Sequence, residues 1–106
     1  MATTKEFHDY VIDCLSRAGE VTSKKMMGEY CVYYQGKLIG GIYDNRLLLK
    51  QTDTSKRLLA DCNLEYPYEG SKTLMYAVEE IENIDFIKEL IDGMYNELPE
   101  HKKRKK

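Results

Sequence analysis

Two histidines are the first residues to test for chemistry, because a histidine set between a hydroxyl or thiol and a carboxylate makes an acyl-transfer site. His8 stands beside Phe7 and off the apolar stripe of its segment, which reads as a solvated position. His101 sits in a lysine-rich terminus. Neither has a partner that spacing alone can place, so no nucleophilic site is expected. Cys14, Cys31 and Cys62 are far apart and form no CxxC pair, which argues against a zinc site and against a disulfide framework. Each has apolar neighbours and reads as a small packing residue. The densest carboxylates are Glu79, Glu80, Glu82 and Asp85. They surround the expected start of a helix, where the helix dipole favours negative charge. No calcium-loop spacing, phosphate loop or dinucleotide fingerprint is present. The expectation is therefore no catalytic residue, no cofactor, no metal ligand and no enzyme.

Charge separates the chain into two parts. Lys102, Lys103, Arg104, Lys105 and Lys106 hold five of the sixteen basic residues. Without them, eleven basic residues face eighteen acidic ones, a net of −7. Residues 1–99 read as one domain and 100–106 as a disordered basic tail. The five tail residues are candidate phosphate contacts, or equally a solubilising terminus. An acidic body repels phosphate, so its overall charge cannot supply affinity for nucleic acid. Unpaired cysteines point to a reducing compartment. The first residues carry no apolar leader, and no apolar run approaches the roughly 20 residues of a membrane span. A cytoplasmic location without membrane contact follows as the expectation.

The elements that must position any site are legible as periodicity. Phe7, Tyr10, Val11, Cys14, Leu15 and Ala18 form one helical stripe over about 4–18. Thr3 with Glu6 reads as its capping box, and Gly19 as the left-handed residue that ends it. Strands follow at Val21–Met27, Tyr30–Tyr34, Lys37–Tyr43 and Arg46–Lys50. Gln35-Gly36 and Asp44-Asn45 supply the tight turns. The pair Gly40-Gly41 inside a strand calls for a bulge or a close neighbour, and a helix packed close against it is the reading preferred to a ligand. A short helix is expected over 51–61, capped by Thr52 or Asp53. An edge strand weakened by Pro67 comes next, then a strand over 73–78. Ile87, Leu90, Ile91, Met94, Tyr95 and Leu98 mark a last helix, capped by Asn83 or Asp85 and stopped by Pro99. Gly93 within it has no sequence rationale. Met26 and Met27 both read as core, and Lys24 and Lys25 as solvated. The order α, three or four strands, α, two strands, α predicts a two-layer α+β fold. Helices on one face of a single antiparallel sheet would leave the other face partly open and rich in tyrosine.

With these residues in place, the chain resembles the N-terminal domain family of the TfoX competence regulators. The family's run of a basic residue, Met, Phe and Gly stands here as Lys25, Met26, Met27 and Gly28. An aromatic, a glycine and an apolar strand follow as Tyr33, Gly36, Lys37, Leu38 and Ile39. Leu47 to Lys50 matches a leucine-rich strand ending in lysine, and Met75 to Val78 a Met-X-Tyr-type strand. The resemblance also takes in the last helix, Asp85 to Leu98, and the proline-lysine tail, Pro99 to Lys106. Met27 replaces the usual Phe, and Glu29 stands where Gly is common. The resemblance implies a standalone member with the two-layer α+β fold and a link to transcription regulation in competence. It supplies no catalytic residue. Lys25, Met26, Met27, Gly28, Tyr33 and Gly36 become candidate interaction residues. The function expected is a regulatory domain acting through protein contacts, with DNA as the other partner considered. A general interaction or dimerisation module with no nucleic-acid role is the alternative.

Overall fold

The computed structural model describes residues 3–26 and 28–98. Along the chain run α1 (Lys5–Ser16), β1 (Val21–Met26), β2 (Glu29–Tyr34), β3 (Lys37–Ile42), β4 (Leu47–Leu49), α2 (Asp53–Leu58), β5 (Leu64–Glu65), β6 (Met75–Val78) and α3 (Ile84–Glu97). The strands form one sheet in the order β1-β2-β3-β4-β6-β5, and every neighbouring pair is antiparallel. The fold is the two-layer α+β arrangement that the pattern predicts.

Both helical stripes meet the sheet. Val11 and Leu15 of α1 and Ile87, Leu90, Ile91 and Met94 of α3 are fully buried with Val32, Ile39, Ile42 and Leu49. Each fully buried side chain of this size contributes about 1.5–3 kcal/mol. The exposed ion pairs Lys5–Asp9 and Arg17–Asp13 belong to a class worth about 0–1 kcal/mol each. The core therefore holds the fold.

Local chemistry departs from the sequence reading at several points. Thr4, not Thr3, caps α1, its hydroxyl accepting from Phe7 N–H. Thr3 is buried instead, and its hydroxyl donates to the Glu29 carboxylate at 2.7 Å. Gly19 is not left-handed. It is small because a Cβ there would lie 2.5 Å from the Tyr34 ring. Gln35 and Gly36, and likewise Asp44 and Asn45, do adopt the positive φ of tight hairpin turns. Helix α2 is shorter than expected, and Thr52 closes a capping box with Ser55. Asn83 caps α3. The edge strand shrinks to Leu64–Glu65, and β6 begins at Met75.

The Gly40-Gly41 pair is crowded by strands and not by a helix. Val32 pairs with Gly40 but Tyr33 pairs with Leu38, so Ile39 is the extra residue of a bulge. The bulge breaks the two-residue alternation and turns both Ile39 and Ile42 to the helix side. At Gly40 a Cβ would run into the Leu48 carbonyl oxygen and come within 2.9 Å of Leu49 Cα.

Gly93 also finds its reason here. A Cβ on it would lie 2.5 Å from Thr54 Oγ1, so α2 and α3 touch at this point. Glu97 completes the clasp, accepting from Thr54 N–H at 2.8 Å and from the Thr54 hydroxyl at 2.6 Å. Those bonds, the hydroxyl's foremost, lower the Glu97 carboxyl below its ordinary value of 4.5. The folded state thus binds its proton less readily than the unfolded chain. The clasp contributes fully above pH 4.5 and is lost as pH falls through the lowered value. Urea midpoints measured at about pH 6 and about pH 3 are expected to fall less for Glu97→Gln than for the wild type. An equal fall in both would remove the clasp from the acid response.

Candidate functional site

The sheet face away from the helices holds the most distinctive surface. Alternation puts Met26, Cys31, Tyr33, Gly41, Tyr43 and Leu48 on this side. Leu48 is nonetheless fully buried, and Met75 is 7% exposed. Part of this face is thus a second, smaller core. The segment after β5 folds back beside it under the control of Arg46. The Arg46 guanidinium pairs with Glu65 at 2.6 Å and donates to the carbonyls of Tyr66 and Pro67, each at 3.4 Å. Pro67 is buried by this arrangement.

The rest of the face is open. Met26 is 48% exposed, Tyr66 52% and Tyr68 60%. Met26, Glu29, Tyr30, Cys31, Tyr43 and Tyr68 line a hollow of about 470 Å³. Gly41 makes room for it. A Cβ there would lie 2.5 Å from the Tyr43 ring, so that ring can lie over the glycine only because it is one. Tyr68 then packs against Tyr43 with ring centroids 6.1 Å apart. Burial, with Cys31 alongside, pushes the Tyr43 hydroxyl up to about 12. The ring therefore stays neutral across the ordinary pH range. A wetter hollow of about 620 Å³ continues along Arg46, Asp44, Tyr66 and Glu69. Tyrosine and methionine are residue types enriched at protein interfaces, and methionine adapts its shape to a partner.

Glu29, one of the two departures from the pattern that the chain resembles, anchors one end of this face. Its Oε1 accepts from Thr3 N–H at 3.2 Å, the Thr3 hydroxyl at 2.7 Å and Asp44 N–H at 3.1 Å. It fastens the approach to α1 and the β3–β4 turn to the start of β2.

The predicted motif residues do not form one cluster. Met26 lines the hollow and is exposed, against the expectation that it is core, because it ends an edge strand. Lys25 is exposed beside it. Gly28 takes φ 87° in the β1–β2 turn, and Gly36 takes φ 88° in the β2–β3 turn. The length of β2 separates these two glycines. Tyr33 is half-buried on the open face, its hydroxyl pushed up by burial. Met27 and Lys102, Lys103, Arg104, Lys105 and Lys106 lie outside the described residues, as does His101.

His8 is the main correction. Its side chain is 17% exposed and not solvated. Nε2 lies 2.7 Å from Ser23 Oγ, Nδ1 lies 2.9 Å from Asp9 Oδ1, and the imidazole stacks on Tyr30 at 4.0 Å. The connectivity is that of a serine–histidine–aspartate row. Asp9, however, is half-exposed and shares its charge with Lys5 at 2.8 Å. The row clasps α1 to β1. Only the fold brings residues 8 and 23 together, so spacing gave no signal for it. The acidic group is dispersed in role: Glu82 accepts from the Tyr10 hydroxyl at 2.6 Å, and Asp85 lies in the first turn of α3.

Comparison with known proteins gives two findings. The family model of the TfoX N-terminal domain matches residues 13–91. A Spirochaeta aurantia protein, described as an uncharacterized 12.7 kDa protein in the trpE 5′ region, is 31% identical over 105 residues. The match spans 99% of this chain and 91% of that protein.

Proposed function

Because this chain belongs to the TfoX N-terminal domain family, we propose that it is a small regulatory domain that works by protein contact, through the tyrosine- and methionine-lined face of its sheet. One observation carries the reading. The helix side of the sheet carries the main core, whereas Met26 and Tyr68 stand exposed around a hollow that Cys31 and Tyr43 also line. Exposed aromatic and methionine side chains gathered in one place mark an interaction site more often than scattered ones do. The link to transcription in competence rests on the family resemblance. The DNA alternative rests on Lys102–Lys106 and stands against an acidic body.

The test is genetic rescue. A deletion strain is profiled for transcripts and complemented with the wild type, with Met26→Glu/Tyr68→Glu, and with Glu89→Ala on the helix side. All three are checked for native circular dichroism. The wild type and Glu89→Ala are expected to restore the profile, and the double variant to leave it unrestored. Full restoration by a folded Met26→Glu/Tyr68→Glu protein would sink the assignment of function to this face.

A further inference from the structure

The two edges of the sheet are unlike. Strand β5 exposes two residues, a length that limits pairing with another chain, whereas β1 presents six, unbroken by proline or bulge. Gln35 N–H donates to the Glu20 carbonyl at 2.9 Å, which makes residues 20 and 35 a hydrogen-bonded pair. Antiparallel alternation then directs the backbone groups of Thr22, Lys24 and Met26 toward β2. The N–H and C=O groups of Val21, Ser23 and Lys25 are left pointing away from the sheet.

The side chains along this edge carry an ordered charge pattern. Glu20, Thr22 and Lys24 share the open face and are exposed, reading negative, neutral, positive along the strand. Neither Glu20 nor Lys24 has an ion-pair partner among the described residues. Such a pattern is its own complement when the strand meets itself running in the opposite direction.

We propose that β1 pairs antiparallel with β1 of a second copy of this chain, with Thr22 opposite Thr22 at the two-fold axis. Glu20 then lies opposite Lys24 of the other copy, twice by symmetry, and Val21 opposite Ser23. The register keeps the outward-pointing residues together. Moving the axis to Ser23 would break both Glu20–Lys24 pairs, and moving it to Lys24 or Lys25 would set lysine against lysine. Charge complementarity therefore selects both the partner and the register. A two-fold axis normal to the sheet leaves both helix layers on one side and both open faces on the other. Two six-stranded sheets become one, and their hollows face the same way. The inference does not depend on the open face being a docking site.

Sedimentation of the full chain from about 10 μM to 1 mM at low salt is the experiment, with the range set around ordinary weak-dimer affinities. A concentration-dependent dimer is expected. Glu20→Lys and Lys24→Glu each replace two attractive pairs by two repulsive ones and should weaken it roughly tenfold. The exchanged double variant Glu20→Lys/Lys24→Glu should recover wild-type association. Thr22→Cys should yield a disulfide-linked dimer under mild oxidation that the wild type does not. Tyr68→Glu should dimerise normally. A chain monomeric throughout overturns the proposal and leaves Lys24 and Lys25 as guards of a lone edge. So does a dimer indifferent to both single variants, or a double variant no better than either.

Discussion

Gly40→Ala is expected to cost at least about 3 kcal/mol of folding stability, the upper range for overpacking, and to lower the melting temperature by about 12 °C or more. The single added methyl meets backbone. The Leu48 carbonyl and Leu49 Cα belong to β4, a central strand bonded to β3 on one side and β6 on the other. A side chain in the way could rotate, but these atoms move only if the ladder parts. Leu47 and Leu49 pack on the helix side and Leu48 on the open face, all three buried. Displacing β4 would loosen both cores together. Chemical and thermal unfolding of Gly40→Ala and Gly36→Ala provide the contrast. Around Gly36 no described residue beyond its chain neighbours lies within 4 Å of where a methyl would sit, but the backbone carries φ 88°. Its cost should be that of backbone strain alone, about 1–2 kcal/mol. A Gly40→Ala protein as stable as the wild type would show that β3 and β4 do not approach as described.

The second large effect is expected at Gly93. Substitution by alanine ordinarily gains about 1 kcal/mol inside a helix. Here the new methyl would press on the Thr54 hydroxyl and methyl, 2.5 and 2.6 Å from it. Thr54 cannot swing aside cheaply, because it is buried, its hydroxyl donates to Glu97, and its backbone N–H is fixed to the same carboxylate. We expect Gly93→Ala to lose about 1 kcal/mol net, and Gly93→Leu about 3 kcal/mol, through overpacking of the α2–α3 contact. Equilibrium urea unfolding with a double-mutant cycle separates the contributions. Thr54→Ala should cost clearly less in the Gly93→Ala background than alone, since it then relieves the crowding. Strict additivity would contradict the clasp.

These two glycines also show where sequence reading stops. The stripes of α1 and α3 are periodic in the chain itself, so the helices, their inward faces and the fold class follow directly. The turns at Gln35-Gly36 and Asp44-Asn45 are equally local, because residue type sets which φ is cheap. Gly93 is small for the sake of Thr54, far earlier in the chain, and no local pattern reports that. The Gly40-Gly41 pair admits a bulge, but its place at Ile39 is set by the pairing with β2, which no local pattern reports. The candidate face was legible only in part. A tyrosine-rich open side follows from the layer argument, and Met26 from the family motif. The return of Tyr66–Tyr68 over the sheet depends on Arg46, distant in sequence, finding Glu65 and two carbonyls. The His8–Ser23 contact needed the packing of α1 on β1. Met26 looked like core because it is apolar, and it is exposed because its strand is an edge.

The docking claim is tested most directly by placing a photoreactive phenylalanine analogue at position 68, at position 26, and at position 89 on the helix side, and irradiating living cells. The account predicts the same discrete protein adduct from positions 26 and 68, absent from position 89 and lost from position 68 when Met26→Glu is added. Adducts with nucleic acid alone, or equal protein adducts from all three positions, would contradict it.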